Sequence, residues 1–166
     1  RRRGPGGGGG GRADDLALID FGDTIFSWTV AEVAIAMAYA LLTTRGKALL
    51  RAGRPNLPCA LAALRGYRAA GARLSGAEPG LLRVLMCTRL AMSVTYGAYA
   101  YQNEPGNEYL LLHAGPAWAS LRRLWAMEEP EFARLVEGAL AEGAALAAVS
   151  GSGDGAGGLN GESTGP

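Results

Sequence analysis

Two carboxylates bracket a Phe-Gly pair in the stretch IDFGD, Asp20 on one side and Asp23 on the other. A carboxylate held at the end of a short apolar run is a natural ligand for a hard cation such as Mg²⁺. A glycine two residues later lets the backbone turn tightly while a bulky ligand comes close. Phe21 can anchor the turn by burying its ring. In phosphoryl transfer an aspartate so placed holds the Mg²⁺ that bridges the nucleotide phosphates. The plainer alternative is a strand-to-helix turn in which Asp23 accepts a hydrogen bond from a nearby backbone amide. Four residues alone leave both readings open.

The elements around the turn narrow the choice. Residues 16–19 (LALI) are an apolar run that reads as a short buried strand. From Thr29 the spacing becomes helical, with Val30, Val33, Ile35, Met37, Leu41 and Leu42 distributed around a mostly buried helix. Thr29 and Glu32 have the spacing of a capping box, which gives Glu32 a purely structural role as one option. After a loop through RPNLPC, the stretch PCALAALRGYRAAGARL reads as a helix with Arg65, Arg68 and Arg73 on its exposed side. Ser75 and Glu78 repeat the capping-box spacing and open an apolar helix from 81 to about 101. Residues 109–127 form another, interrupted at Gly115-Pro116, and Pro130 suits the first turn of a last helix running to about 148. The expectation is a strand or hairpin remnant and about five helices. No period of 20–50 residues recurs, so a solenoid is excluded, and the short connections favour helices packed in antiparallel pairs.

Composition sets the remaining bounds. Of 166 residues, 16 are basic and 15 acidic, for a net charge of +1, which calls for neither nucleic acid nor a membrane surface as partner. Residues 1–14 and 150–166 are glycine-rich and read as disordered tails, Arg1 to Arg3 included, so the foldable part is 15–149. A start at Arg1 rather than Met reads as a fragment or a processed chain. Cys59 and Cys87 lack metal or disulfide spacing and read as small buried hydrophobes in a reducing compartment. No signal peptide is visible, and the run 30–42 contains Glu32 and is too short to span a bilayer, so a cytoplasmic protein is expected.

Other side chains carry weaker signals. His113 is the single histidine and reads as a satisfied or solvent-facing residue. Tyr96, Tyr99 and Tyr101 share a helix end. They suit core packing, or a pocket that takes an amine substrate by cation–π contact. Glu104, Asn107 and Glu108 surround a turn with a helix cap at Asn107, or form an acidic rim for a cationic acceptor. Trp118 and Trp125, seven apart on one face, are expected in the core.

A protein kinase would follow its Asp-Phe-Gly with an activation loop, whereas here a helix begins about six residues after Asp23. The stretch LALIDFGDTIFSWTVAEVAIAMAYALL instead resembles the metal-binding turn and following helix of the aminoglycoside phosphotransferase and choline kinase superfamily and, within it, the hydroxylysine kinases. The later stretch CTRLAMSVTYGAYAYQNEPGNEYLLLHAGPAWASLRRL resembles the same family's Cys-x-Arg-Leu, Asn-Glu-Tyr-Leu and Trp-x-x-Leu segments. The likeness covers roughly residues 16–127.

The resemblance implies a mainly α fold, the helical C-lobe of a protein-kinase-like architecture with a strand remnant at its start, forming the acceptor-binding portion of a small-molecule kinase. It assigns Asp20 to Mg²⁺, Asp23 to the vicinity of metal and acceptor, and Glu32 to ordering the turn. It leaves Tyr96, Tyr99 and Glu104 as a possible acceptor pocket. The implied reaction moves a γ-phosphoryl group from GTP or ATP to the hydroxyl of an amine-bearing alcohol, most specifically from GTP to 5-hydroxy-L-lysine. The family's His-x-Asp-x-x-x-x-Asn catalytic run and nucleotide-binding lobe are not in this sequence, and GPGGGGGG lacks the strand, helix and Lys-Ser/Thr end of a phosphate loop. This chain alone is therefore expected to be inactive. The competing expectation is a non-catalytic helical interaction module.

Overall fold

The computed structural model describes residues 25–42 and 56–151. Among them, every regular element is helical: α1 (Thr29–Ala40), α2 (Leu57–Ala69), α3 (Glu78–Asn103), a short 3-10 helix (Glu108–Leu111), α4 (Ala114–Trp125) and α5 (Glu129–Gly151). The mainly helical expectation is met. The strand expected at 16–19 lies outside the described residues, as do the two glycine-rich tails apart from Ser150 and Gly151, which end α5.

The α1 sequence buries Val30, Val33, Ala34, Met37 and Ala38, the repeating three- and four-residue spacing of a stripe on one helix face. The capping box expected at its start does not form. Trp28 is the extended N-cap residue and Thr29 is already helical, so the threonine hydroxyl is one position too late to cap. At α3 the acidic half of the second capping box does form. The Glu78 carboxylate accepts a hydrogen bond from the Ser75 backbone N–H, which holds its carboxyl below the usual carboxylate value.

Helix α3 is the central element. Leu82, Met86, Cys87, Leu90 and Val94 are its buried positions. It packs against α1, α4, the 3-10 helix and, at its start, α5. There Arg83 donates to the Met127 carbonyl at 2.9 Å and pairs with Glu129. Arg89 ties α3 to α1, its Nη2 donating to the Tyr39 hydroxyl at 2.7 Å. Helices α1 and α2 run antiparallel, with the Asn56 N–H bonded to the Leu41 carbonyl where the second begins.

The arginines of α2 are not all on an exposed side. Arg65 Nη1 donates to Glu142 of α5 at 2.9 Å, and α5 comes so close that a Cβ placed on Gly143 would lie 2.6 Å from the Arg65 carbonyl oxygen and 2.7 Å from the Arg68 Cβ. Arg73, beyond the end of α2, is the exposed one of the three. Phe132, Val136 and Ala139 supply the buried face of α5, and the Phe132 side chain is completely enclosed.

The break expected at Gly115-Pro116 falls earlier, at residues 112–113. Pro116 sits in the first turn of α4, where its missing N–H costs nothing. Trp118 and Trp125 are not in the core: they are 48% and 71% exposed. The face of α4 that meets α3 carries Ala117, Ser120 and Leu124; the small Ala117 and Ser120 let the helices approach, and both indoles turn outward.

Candidate functional site

Asp20 and Asp23 lie outside the described residues, so the site is built here from the helix that follows them. Glu32 stands in the first turn of α1, where the helix dipole favours a carboxylate, and its side chain is exposed. With Val33 and Ala36 of α1 and Ala63 and Tyr67 of α2, it lines an open cleft of about 280 Å³. The antiparallel packing of α1 and α2 makes this cleft, because small alanines face each other where larger side chains would close it. A carboxylate at the mouth of a mostly apolar trough can orient a polar or cationic group. It cannot hold a metal alone, since Mg²⁺ needs several oxygen ligands. Among the described residues no cluster of three or more His, Cys, Asp or Glu side chains could bind one.

The second group of candidates lies at the far end of α3. Tyr96 and Tyr99 are 63% and 66% exposed, which overturns the core-packing expectation for them. Contacts with α1 and α4 take two sides of α3, and these tyrosines fall on what is left. Glu104 follows the last turn of α3 and accepts a hydrogen bond from Asn107 Nδ2 at 3.2 Å. Asn107 precedes the 3-10 helix without capping it through its side chain.

The groove found at this end has other walls. Tyr101, Glu108, Tyr109, Leu111 and Leu112 line an open surface groove of about 470 Å³. Glu32 and Tyr101 thus line separate clefts that share no wall, and Tyr96, Tyr99 and Glu104 line neither. The sequence reading put Tyr101 in core packing or an amine pocket and Glu108 in a turn or an acidic rim, but with a long helix starting at Tyr109 it did not bring Tyr109, Leu111 and Leu112 to the same groove. The available signal was Gly106, whose φ of 99° reverses the chain between two tyrosine-bearing segments.

Three further side chains, His113, Cys87 and Cys59, line neither cleft. His113 occupies the N-cap position of α4 and is exposed, with no metal-ligand cluster around it among the described residues. Cys87 is buried, and burial pushes its thiol above its usual value against a weaker opposing pull from Arg83, so it is a packing residue rather than a nucleophile. Cys59 is half-buried and is likewise a free thiol.

No family model and no solved structure matches the chain. Among curated proteins, hydroxylysine kinase of Mus musculus is 30% identical over 116 residues and hydroxylysine kinase of Bos taurus is 30% identical over 111. Each match covers 66% of this chain and 27% of the relative, so the chain spans about a quarter of the length of the curated relatives it matches. The relationship is kinase-like. A small-molecule acceptor and a nucleotide donor with Mg²⁺ are what such relatives imply in general. No described helix is long and apolar enough to cross a membrane.

Proposed function

We propose that this chain is the C-terminal, acceptor-binding part of a small-molecule kinase of the aminoglycoside phosphotransferase type, and that the protein transfers the γ-phosphoryl group of GTP to the hydroxyl of 5-hydroxy-L-lysine. The observation that carries the proposal is the sequence IDFGD followed at once by a helix, realised as α1 from Thr29, in a chain 30% identical to hydroxylysine kinases. In this reading Asp20 holds Mg²⁺, Asp23 lies beside metal and acceptor, and Glu32 at the start of α1 orders the turn. Metal and phosphates must be positioned together with an activated hydroxyl, so the reaction also needs the family's catalytic loop and nucleotide lobe. Residues 1–166 by themselves accordingly turn over no substrate.

The test is GTP- and ATP-dependent phosphorylation of 5-hydroxylysine by the full-length parent protein, beside the 166-residue chain. Transfer by the parent but not by the chain supports the reading, and hydroxylysine-dependent GTP consumption by the chain alone contradicts it. The alternative, a non-catalytic helical interaction module, is favoured by the exposure of Ile25, Phe26 and Trp28 immediately before α1. A parent protein that transfers phosphate to no amine-bearing alcohol would select it.

A further inference from the structure

We infer that the outer face of α3 is a dimer interface, on which a second copy of this chain lays its own α3 antiparallel. The inference is independent of the phosphoryl-transfer reading. Helix α3 is apolar on two faces. The inner one buries Leu82, Met86, Cys87, Leu90 and Val94. The outer one carries Leu81, Val84, Thr88, Met92, Tyr96 and Tyr99, all exposed, at the three- and four-residue spacing of a single helix stripe. At the rise of an α-helix this stripe is about 27 Å long, and no charged side chain interrupts it. Arg89, the nearest charge along its length, is turned to α1, where it bonds the Tyr39 hydroxyl and lies over the Tyr39 ring at 5.2 Å. An uncharged apolar stripe of this length is the signature of a surface that meets another protein surface.

The order of the residues identifies the occupant as a second copy. The steps along the stripe are three, four, four, four and three residues, which read the same from either end. A two-fold axis beside residue 90 therefore sets Leu81 against Tyr99, Val84 against Tyr96 and Thr88 against Met92 of the other copy, each pair occurring twice. In every pair a smaller side chain from the first half of the stripe meets a larger one from the second half, so the two surfaces interlock. A parallel pairing would set tyrosine on tyrosine at one end and leave gaps at the other. Trp125 of α4 widens the surface beside Val84, and the two line a hollow of about 160 Å³. With Trp125 included, the exposed apolar side chains offer about 600–800 Å² per copy, against the 800 Å² per partner of a standard interface. An area at the lower edge of that class suits a reversible dimer with a Kd of about 10–100 µM.

The test is sedimentation equilibrium of the 166-residue chain from about 5 to 500 µM, a range that brackets the expected Kd. The average mass should climb from that of one chain toward that of two. Met92→Glu, which sets two carboxylates near the axis, and Tyr99→Ala should each weaken association by about tenfold or more, with the helix content by circular dichroism unchanged. Leu112→Glu, at an exposed apolar residue off the stripe, should leave association as it is. Orientation is read by mild oxidation of Leu81→Cys and Tyr99→Cys chains. Mixed, they should form a disulfide-linked dimer; alone, each should link no more than wild type, because like positions stand a stripe's length apart. A chain monomeric throughout the range would overturn the inference and leave the stripe to an unlike partner. Wild-type association in folded Met92→Glu and Tyr99→Ala proteins, or a disulfide-linked dimer of the Leu81→Cys chain alone, would overturn it too. No readout depends on phosphoryl transfer, so failure here leaves the kinase reading standing, and failure of the kinase assay leaves the dimer standing.

Discussion

The α2–α5 interface and the α3–3-10 junction use the same device to opposite ends. In each, a glycine within a helix removes the Cβ that would strike a carbonyl oxygen of the neighbouring element, at Gly143 against Arg65 and at Gly97 against Leu110. Around Gly143 the result is a closed interface, with Leu64, Phe132, Val136 and Ala139 buried nearby on the same two helices and the Arg65–Glu142 pair at the surface. Around Gly97 the result is an open groove with Tyr109 and Leu112 left in solvent. Close approach by itself therefore does not close an interface. What distinguishes the two regions is whether the large side chains next to the contact are covered.

The contrast is broken or sharpened by substitutions on either side of it. The largest effect is expected at Phe132, which is fully enclosed: Phe132→Ala should cost about 3–5 kcal/mol in thermal or urea unfolding. A loss under 1 kcal/mol would mean that the α2–α5 region is not the core described. Next comes Gly143→Ala, where the new methyl meets backbone on α2 that cannot yield without moving a packed helix; about 1–3 kcal/mol should be lost. Gly97→Ala faces a similar distance but a short surface element that can shift. The helix-propensity gain of up to about 1 kcal/mol should offset most of its cost. Equal destabilisation by the two substitutions would show that the junction is as rigid as the core interface.

A smaller effect belongs to Glu78. Its carboxyl titrates below its usual value of 4.5, mainly because the Ser75 backbone N–H bonds the charged form. The contribution is present above pH 4.5 and fades as pH falls through the lower folded-state value. Replacing Glu78 by Gln should therefore flatten the acid limb of the stability-pH curve and leave a residual loss near neutrality. An unchanged acid limb would remove the cap from the account. The smallest effect is expected at Tyr96 and Tyr109, where substitution by Ala should change stability by no more than about 0.5 kcal/mol, as at other exposed positions. A larger loss at Tyr109 would make it a structural residue.

The same two regions show what the sequence could reveal. The buried stripe of α1 is written in local spacing, and so is the helix start at Pro130, whereas the stop after α2 at Ala69 falls short of the helix expected through Leu74, the chain turning at Gly71 with a φ of 89°. Periodicity showed that Trp118 and Trp125 share a face, but not which face. That was decided by Ala117 and Ser120, whose small size brings α4 against α3. Likewise nothing local says that Tyr96 and Tyr99 fall where neither α1 nor α4 covers them. The groove depends on a contact between Gly97 and Leu110, thirteen residues apart, and on a turn whose geometry only Gly106 announced. Of the chemically most suggestive residues, Glu32 is placed at an exposed helix start as expected. Asp20 and Asp23 fall outside the described residues, so their roles stand on sequence resemblance.

The central claim, that Asp20 belongs to the metal site of a phosphotransferase, is tested most directly by comparing wild type and Asp20→Asn in the full-length parent protein. The readout is transfer of the γ-phosphoryl group from labelled GTP to 5-hydroxylysine across a Mg²⁺ titration. The account predicts a fall in kcat of about 100-fold or more with a folded protein, because the charge that fixes the metal against the phosphates is gone. Wild-type turnover by Asp20→Asn at the same Mg²⁺ concentration would contradict it.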